Sequence, residues 1–219
     1  MTEVMKSLAK ESKSKGWYHS YGETIPHWFE LYVGLESAAS RIRTYEHAVV
    51  PGLLQTPTYA EQAIRTEPGN PPEEVAKLVE LRAERQRLLH RKRPAAPTLD
   101  VVLEEALLHK NVPGMRAQID RLLDASTAPN ISVRVMPLGS KLSQMVTSGS
   151  FVILDFPKVG LRPAEPTTVY NEGLSGALYL DRIAEVRAYA DAWNSLTAQA
   201  LDTDNSRKAL LTIKEKYYD

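Results

Sequence analysis

Strand-end carboxylates, one arginine and two serines are the side chains here whose types and spacing could do chemistry. Glu104 and Glu105 close an alternating run from Leu99, and Glu172 follows Tyr170-Asn171. Carboxylates so placed can act as general acids or bases. Arg43 lies upstream, and Ser148 and Ser150 flank Gly149 ahead of an apolar run. The chain thus carries an Arg…Ser…Glu order: Arg43, Ser148 or Ser150, and Glu172. The structural alternative is capping, or pairing with Arg82 and Arg85 of a long helix. Arg82 falls on the apolar side of that helix, and Glu105 is its expected partner. The histidines His19, His27, His47, His90 and His109 form no HExxH or other short ligand spacing, so no metal is expected. No GxSxG elbow, P-loop or GxGxxG occurs.

A second cluster contains no nucleophile–base pair. Arg43-Thr44-Tyr45-Glu46 is followed by Val49-Val50-Pro51-Gly52-Leu53-Leu54-Gln55-Thr56. Proline presets φ and glycine tolerates φ > 0, so a sharp turn is expected at Pro51-Gly52. Thr56 or Thr58 would cap the helix that follows. A structured loop with polar but noncatalytic groups reads as a recognition element. The expected binding set is Tyr45, Glu46, Gln55, Tyr59, Arg82, Glu105 and Glu172. Leu53, Leu54 and Tyr59 have a core placement as the alternative.

These groups need elements to position them. Residues 1–16 form a short amphipathic lead-in, and residues 17–219 form one domain. Trp17, Tyr18, Tyr21 and Trp28 suggest anchoring of the early chain on a surface. Helical spacing runs from Pro26 to Ile42, from Thr58 to Arg65, and from Glu73 to Arg91. Strands are expected over Arg43 to Val50, Leu99 to Glu104, Ile131 to Met136, Ser150 to Phe156 and Thr167 to Tyr170. Met115 to Ala125 reads as a helix, and two more follow over Leu180 to Ala200 and Asp202 to Tyr217. The expected fold is α+β, with a helical N-terminal half on a mixed sheet of four or five strands and two C-terminal helices.

Composition narrows the function classes. The 219 residues carry 27 Lys+Arg and 27 Asp+Glu, a formal net charge of zero. Whole-chain attraction to nucleic acid or to an anionic membrane is not indicated. There is no cysteine, which excludes disulfides and thiolate metal sites. No apolar run approaches a membrane span and no signal-peptide core is present, so a soluble cytoplasmic protein is expected.

Two resemblances add to this. Trp28-Phe29-Glu30-Leu31-Tyr32-Val33-Gly34-Leu35-Glu36, Arg43-Thr44-Tyr45-Glu46, Val50-Pro51-Gly52-Leu53-Leu54-Gln55-Thr56 and Tyr59-Ala60 resemble the C-terminal domain of actinobacterial Xre-type helix-turn-helix regulators of the WhiJ and Scr kind. Arg85-Gln86, Glu105-Ala106-Leu107-Leu108, Ala117-Gln118-Ile119, Val133-Arg134-Val135-Met136-Pro137, Gly149-Ser150-Phe151 and Tyr170-Asn171-Glu172 extend the likeness from Gly16 to Tyr217. The resemblance implies a noncatalytic regulatory domain that takes a small-molecule effector or a small protein partner, with a homodimer as a further arrangement. It implies DNA contact only through a helix-turn-helix ahead of Trp17, of which residues 1–16 would be the remnant. Separately, Arg43, Ser148 or Ser150, and Glu172 resemble the signature of ADP-ribosyltransferases. That likeness implies NAD as cofactor, with arginine holding the dinucleotide, serine ordering the strand and glutamate activating the ribose. The second glutamate or glutamine of that signature is missing, because position 170 is Tyr170.

Overall fold

The computed structural model describes residues 18, 21, 25–66, 71–141, 149–158 and 165–218. The lead-in 1–16, Trp17 and Ser148 lie outside the described residues. The elements run α1 (His27–Ala38), β1 (Arg41–Glu46), a 3-10 turn (Gly52–Leu54), α2 (Pro57–Arg65), α3 (Pro72–Gln86) and a second 3-10 turn (Arg87–His90). They continue with β2 (Thr98–Glu104), α4 (Glu105–Leu108), α5 (Met115–Ala125), β3 (Ile131–Met136), β4 (Phe151–Asp155), β5 (Thr168–Gly173), β6 (Gly176–Leu180), α6 (Ile183–Gln199) and α7 (Thr203–Tyr217).

The fold is α+β, around one mixed sheet of six strands in the order β3-β2-β1-β4-β5-β6. β1, β2 and β3 are parallel, while β4, β5 and β6 each run antiparallel to the strand before them in that order. The expectation of four or five strands is corrected to six. The missed strand, β6, is short and follows a tight hairpin in which Gly173 pairs with Gly176. Gly176 takes φ 143°, a conformation that disfavours side chains. The helices are not confined to an N-terminal half either. α4 and α5 sit inside the β2–β3 crossover, because parallel strands need a long connection.

Pairing fixes which side chains share a face. Ile42, Leu99, Leu103, Val133, Val152, Leu154 and Tyr170 belong to the main core, under α1, the 53–54 turn, α4, α5 and α7. Tyr45, Val102, Phe151, Ile153 and Val169 face the other way and pack on Ala192, Trp193 and Leu196 of α6. β4 is covered on both sides, which matches its nearly unbroken apolar run.

Helix ends obey local chemistry. Thr56 accepts from the Tyr59 amide and caps α2, and Asp202 accepts from the Asn205 amide and caps α7. The helix expected over Glu73 to Arg91 ends earlier, at Gln86, and tightens into the 3-10 turn 87–90. β1 stops at Glu46 rather than Val50. Tyr18 and Ile25 are buried against Val33 and Leu81, so part of the early aromatic segment anchors between α1 and α3. No helix among the described residues is long and apolar enough to cross a membrane.

Candidate functional site

The segment from Val50 to Thr56 is an internal joint rather than a displayed loop. Val50, Pro51, Leu53, Leu54 and Gln55 are all buried. Gly52 has no positive φ, contrary to the turn geometry expected there. Its role is close approach: a Cβ at Gly52 would lie 3.4 Å from Nη1 of Arg85. Nearly every polar group of the joint is matched from within. Gln55 Nε2 donates to the Val50 carbonyl at 2.6 Å, and Arg82 Nη1 donates to Gln55 Oε1 at 2.6 Å. Gln86 Nε2 donates to the carbonyls of Gly52 and Gln55 at 3.0 and 2.7 Å. Gln118 donates to the Leu54 carbonyl and accepts from the Thr56 amide, at 2.8 and 2.7 Å. The Val50 amide donates to the Tyr59 hydroxyl at 3.3 Å. Gln55 and Tyr59 therefore brace the interior, because buried polar groups must find partners.

The Arg82–Glu105 pair expected from the sequence does not form. Glu105 starts α4, where it accepts from the Leu138 amide at 3.2 Å and contacts His109 at 3.2 Å. The arginine that meets a buried carboxylate is Arg85, one turn further along α3. Its Nε and Nη2 each donate to Glu36 at 2.8 Å, with the pair almost wholly buried. The guanidinium also lies over the rings of Phe29 and Tyr32, 5.1 and 5.4 Å from their centroids. Arg85 was expected to pair with a carboxylate, but Glu36 as that carboxylate was not singled out from the sequence. The signal was Glu36 on the buried side of α1.

A different group of side chains gathers at the carboxyl-terminal edge of the sheet. β1, β2, β3 and β5 all end there and β4 begins there, so Glu46, Glu104, Glu105 and Glu172 rim one edge. The sheet splits this rim. Tyr45 and Glu104 lie on the α6 side, where the Tyr45 hydroxyl donates to Glu104 at 2.7 Å. Burial, followed by that hydrogen bond, pushes the Tyr45 phenol up. Glu46 and Glu172 lie on the other side with Tyr170, whose hydroxyl donates to Glu172 at 2.8 Å. Burial and then the Glu172 charge push the Tyr170 phenol far above its usual range. Tyr170 stacks on Tyr32 with ring centroids 4.2 Å apart.

Among the described residues, Glu46 is the most perturbed carboxyl. Burial pushes it up to about 7, against hydrogen bonds from the Ser150 and Thr44 hydroxyls, and the Glu172 charge adds to the rise. Among the described residues no lysine or arginine forms an ion pair with it.

The Arg43, Ser150 and Glu172 set is not brought together. Arg43 sits opposite Ile153 on the α6 side and donates to Asp155 at 2.9 Å, whereas Glu172 follows Tyr170 on the opposite face. The Nε of Arg43 is buried without a hydrogen-bond partner. Among the described residues no three acidic or histidine side chains converge on a metal position.

A family model described as a domain of unknown function, DUF5753, matches residues 29–212. No curated protein matches the chain. The matched span contains the six-stranded sheet, the buried joint and the whole carboxylate rim. The chain belongs to the DUF5753 family.

Proposed function

We propose that this chain is the noncatalytic regulatory domain of an Xre-type helix-turn-helix transcriptional regulator of the WhiJ and Scr kind. It receives a small-molecule effector or a small protein partner at the carboxyl-terminal rim of the sheet. The observation that carries this reading is Glu46: a partly buried carboxyl whose partners among the described residues are hydroxyls, at the edge where open sheets commonly take their ligands. A positively charged group on the incoming molecule would supply a countercharge that no described residue supplies, with Glu172 beside it. Tyr45, Glu104 and Glu105 extend the rim on either side. Gln55, Tyr59 and Arg82 hold the joint behind β1 rigid, so that occupancy of the rim is felt at α1 and α3. There the early chain is docked through Tyr18 and Ile25. The effector then acts by population shift, favouring one arrangement of an attached DNA-binding head or of a dimer. DNA is contacted through that head, in keeping with the zero net charge of this chain.

The NAD-using alternative gains nothing from the geometry, because Arg43 and Glu172 are on opposite faces. Calorimetry against the small proteins encoded beside regulators of this kind tests the proposal. Saturable binding should weaken by at least about tenfold in the Glu46→Gln/Glu172→Gln double variant. Unchanged affinity in that variant would overturn the rim as the receiving site. Turnover of labelled NAD by the purified chain would overturn the noncatalytic reading.

A further inference from the structure

We propose that the outer edge of β6 is a homodimer surface, where a second copy of this chain pairs antiparallel through its own β6 about a twofold axis at Leu178. The two edges of the sheet are finished differently. At the β3 edge, the Val135 amide donates to Ser206 Oγ and the Val135 carbonyl accepts from the Leu201 amide, both at 2.9 Å. The segment leading into α7 thus closes that edge. β3 also carries Arg134, a charge of the kind that keeps edges from pairing. β6 is the outer strand at the other end of the sheet. Its residues Gly176-Ala177-Leu178-Tyr179-Leu180 include no charge and no proline. Among the described residues, no amide or carbonyl from elsewhere in the chain caps its outer side.

The hairpin sets the register. Gly173 and Gly176 close a two-residue turn, and pairs along an antiparallel ladder alternate between hydrogen-bonded and non-hydrogen-bonded. Gly176, Leu178 and Leu180 therefore turn their backbone groups to β5, and Ala177 and Tyr179 turn theirs outward. About an axis at Leu178, Ala177 of each copy meets Tyr179 of the other, and each such pair exchanges both of its N–H···O bonds. Leu178 meets Leu178 of the second copy in a non-hydrogen-bonded position, where side chains come closest.

The exposed side chains select a second copy as the occupant. Leu178 is 59% exposed, Leu174 is fully exposed in the turn, and Ile183 at the start of α6 is 87% exposed. Leucine in a tight turn runs against the polar chemistry such positions favour. On one copy these three are spread along the edge. The axis that sets Leu178 on itself sets Leu174 opposite Arg182 and so beside Ile183 of the second copy, once at each end. One patch that complements itself is what a twofold dimer requires. Charges agree, because Asp181 falls opposite Ser175 and no like charges meet. A five-residue edge is roughly 17 Å long, and with α1 on one face and α6 on the other it is about 30 Å deep. That gives about 500 Å² on each copy and about 1,000 Å² in total, the lower limit for a specific interface, as suits a reversible dimer. Glu172 pairs with Ala177 in the hairpin, so the carboxylate rim is one strand away. Use of this dimer as the arrangement an effector shifts rests on the regulatory reading above, whereas the surface itself does not.

Sedimentation velocity of the full chain from about 1 µM to about 1 mM should show a reversible monomer–dimer equilibrium. Leu178→Lys, which sets two ammonium groups against each other on the axis, should weaken it at least about tenfold. Leu138→Lys, at an exposed position beyond the end of β3, should leave it unchanged. The chain has no cysteine, so Leu178→Cys should yield a single disulfide-linked dimer on mild oxidation, and Leu138→Cys should not. A chain that stays monomeric over the whole range would overturn the surface. So would a dimer that is insensitive to Leu178→Lys and unlinked in Leu178→Cys, or an edge that pairs only with a strand of a different protein. A monomer that still binds a neighbouring small protein through Glu46 and Glu172 would sink the dimer and leave the receiving role standing.

Discussion

Glu36 and Glu46 lie in neighbouring parts of the molecule and meet opposite surroundings. In the brace between α1 and α3, Glu36 is 1% exposed and accepts from Nε and Nη2 of Arg85, whose guanidinium is stacked over two aromatic rings. At the exit of β1, Glu46 has hydroxyls for partners and another carboxylate for a neighbour. Both sites remove a carboxylate from water, which is costly. In the brace, pairing offsets that cost, and the result is a rigid internal contact. At the rim, the cost appears as a raised proton affinity. A group held in that state can respond to pH or to an incoming cation, and perturbed groups of this kind mark functional sites.

Substitutions can break this contrast at several depths. The largest effect should come from Arg85→Ala, which leaves Glu36 charged and unpaired in the interior. A loss of about 3–5 kcal/mol in chemical denaturation is expected. Replacing both partners with apolar residues, Glu36→Leu with Arg85→Met, should recover most of it. If the double variant is as unstable as the single one, the brace is not simply an ion pair.

Next in size is Gln118→Ala, which strips partners from the Leu54 carbonyl and the Thr56 amide. About 1–3 kcal/mol should be lost, with the joint between β1 and α2 loosened first in hydrogen exchange.

The pH profile of stability comes third. The folded-state value for Glu46 is above its unfolded value, so between pH 4.5 and about 7 the native state holds a proton that the unfolded state has released. The Glu46 contribution to stability therefore falls as pH rises through that window and is level above it. Allowing for water at the rim, the slope amounts to about 1–2 kcal/mol. Glu46→Gln should remove it and be at least as stable as wild type at pH 8. A slope that survives this substitution would assign it to another group.

Smallest is Asp100→Asn, which breaks an exposed pair with Arg41. Less than about 1 kcal/mol should be lost, and less still at high salt.

Much of the fold was legible because the patterns were local. α5 and β3 match the expected spans, since their apolar periods of helix and strand are unbroken. β6 was invisible because Gly176–Leu180 runs straight into the apolar spacing of α6, and only pairing with β5 makes it a strand. The site was legible in part. Glu46, Glu172 and Ser150 could be singled out as polar residues beside predicted strands. Their faces could not, because a one-residue slip in pairing register exchanges a strand's two sides. That is why Arg43 looked compatible with Glu172 and proves to be across the sheet from it. Gln55 was expected on a displayed loop, with Tyr59 on the short helix beside it, because Pro51-Gly52 usually marks a surface turn. Here partners distant in sequence, Gln86 and Gln118, bury it. Choosing Arg82 over Arg85 as the buried arginine was an error of helical phase, settled only by the position of Glu36.

The most direct test of the account is the titration midpoint of the Glu46 carboxyl in the folded chain, read by site-resolved carbon NMR. A midpoint near 7 is predicted, moved lower when a cationic effector occupies the rim. A midpoint at the ordinary glutamate value of about 4.3 would contradict it, because the carboxyl would then be well solvated and the rim would hold no poised group.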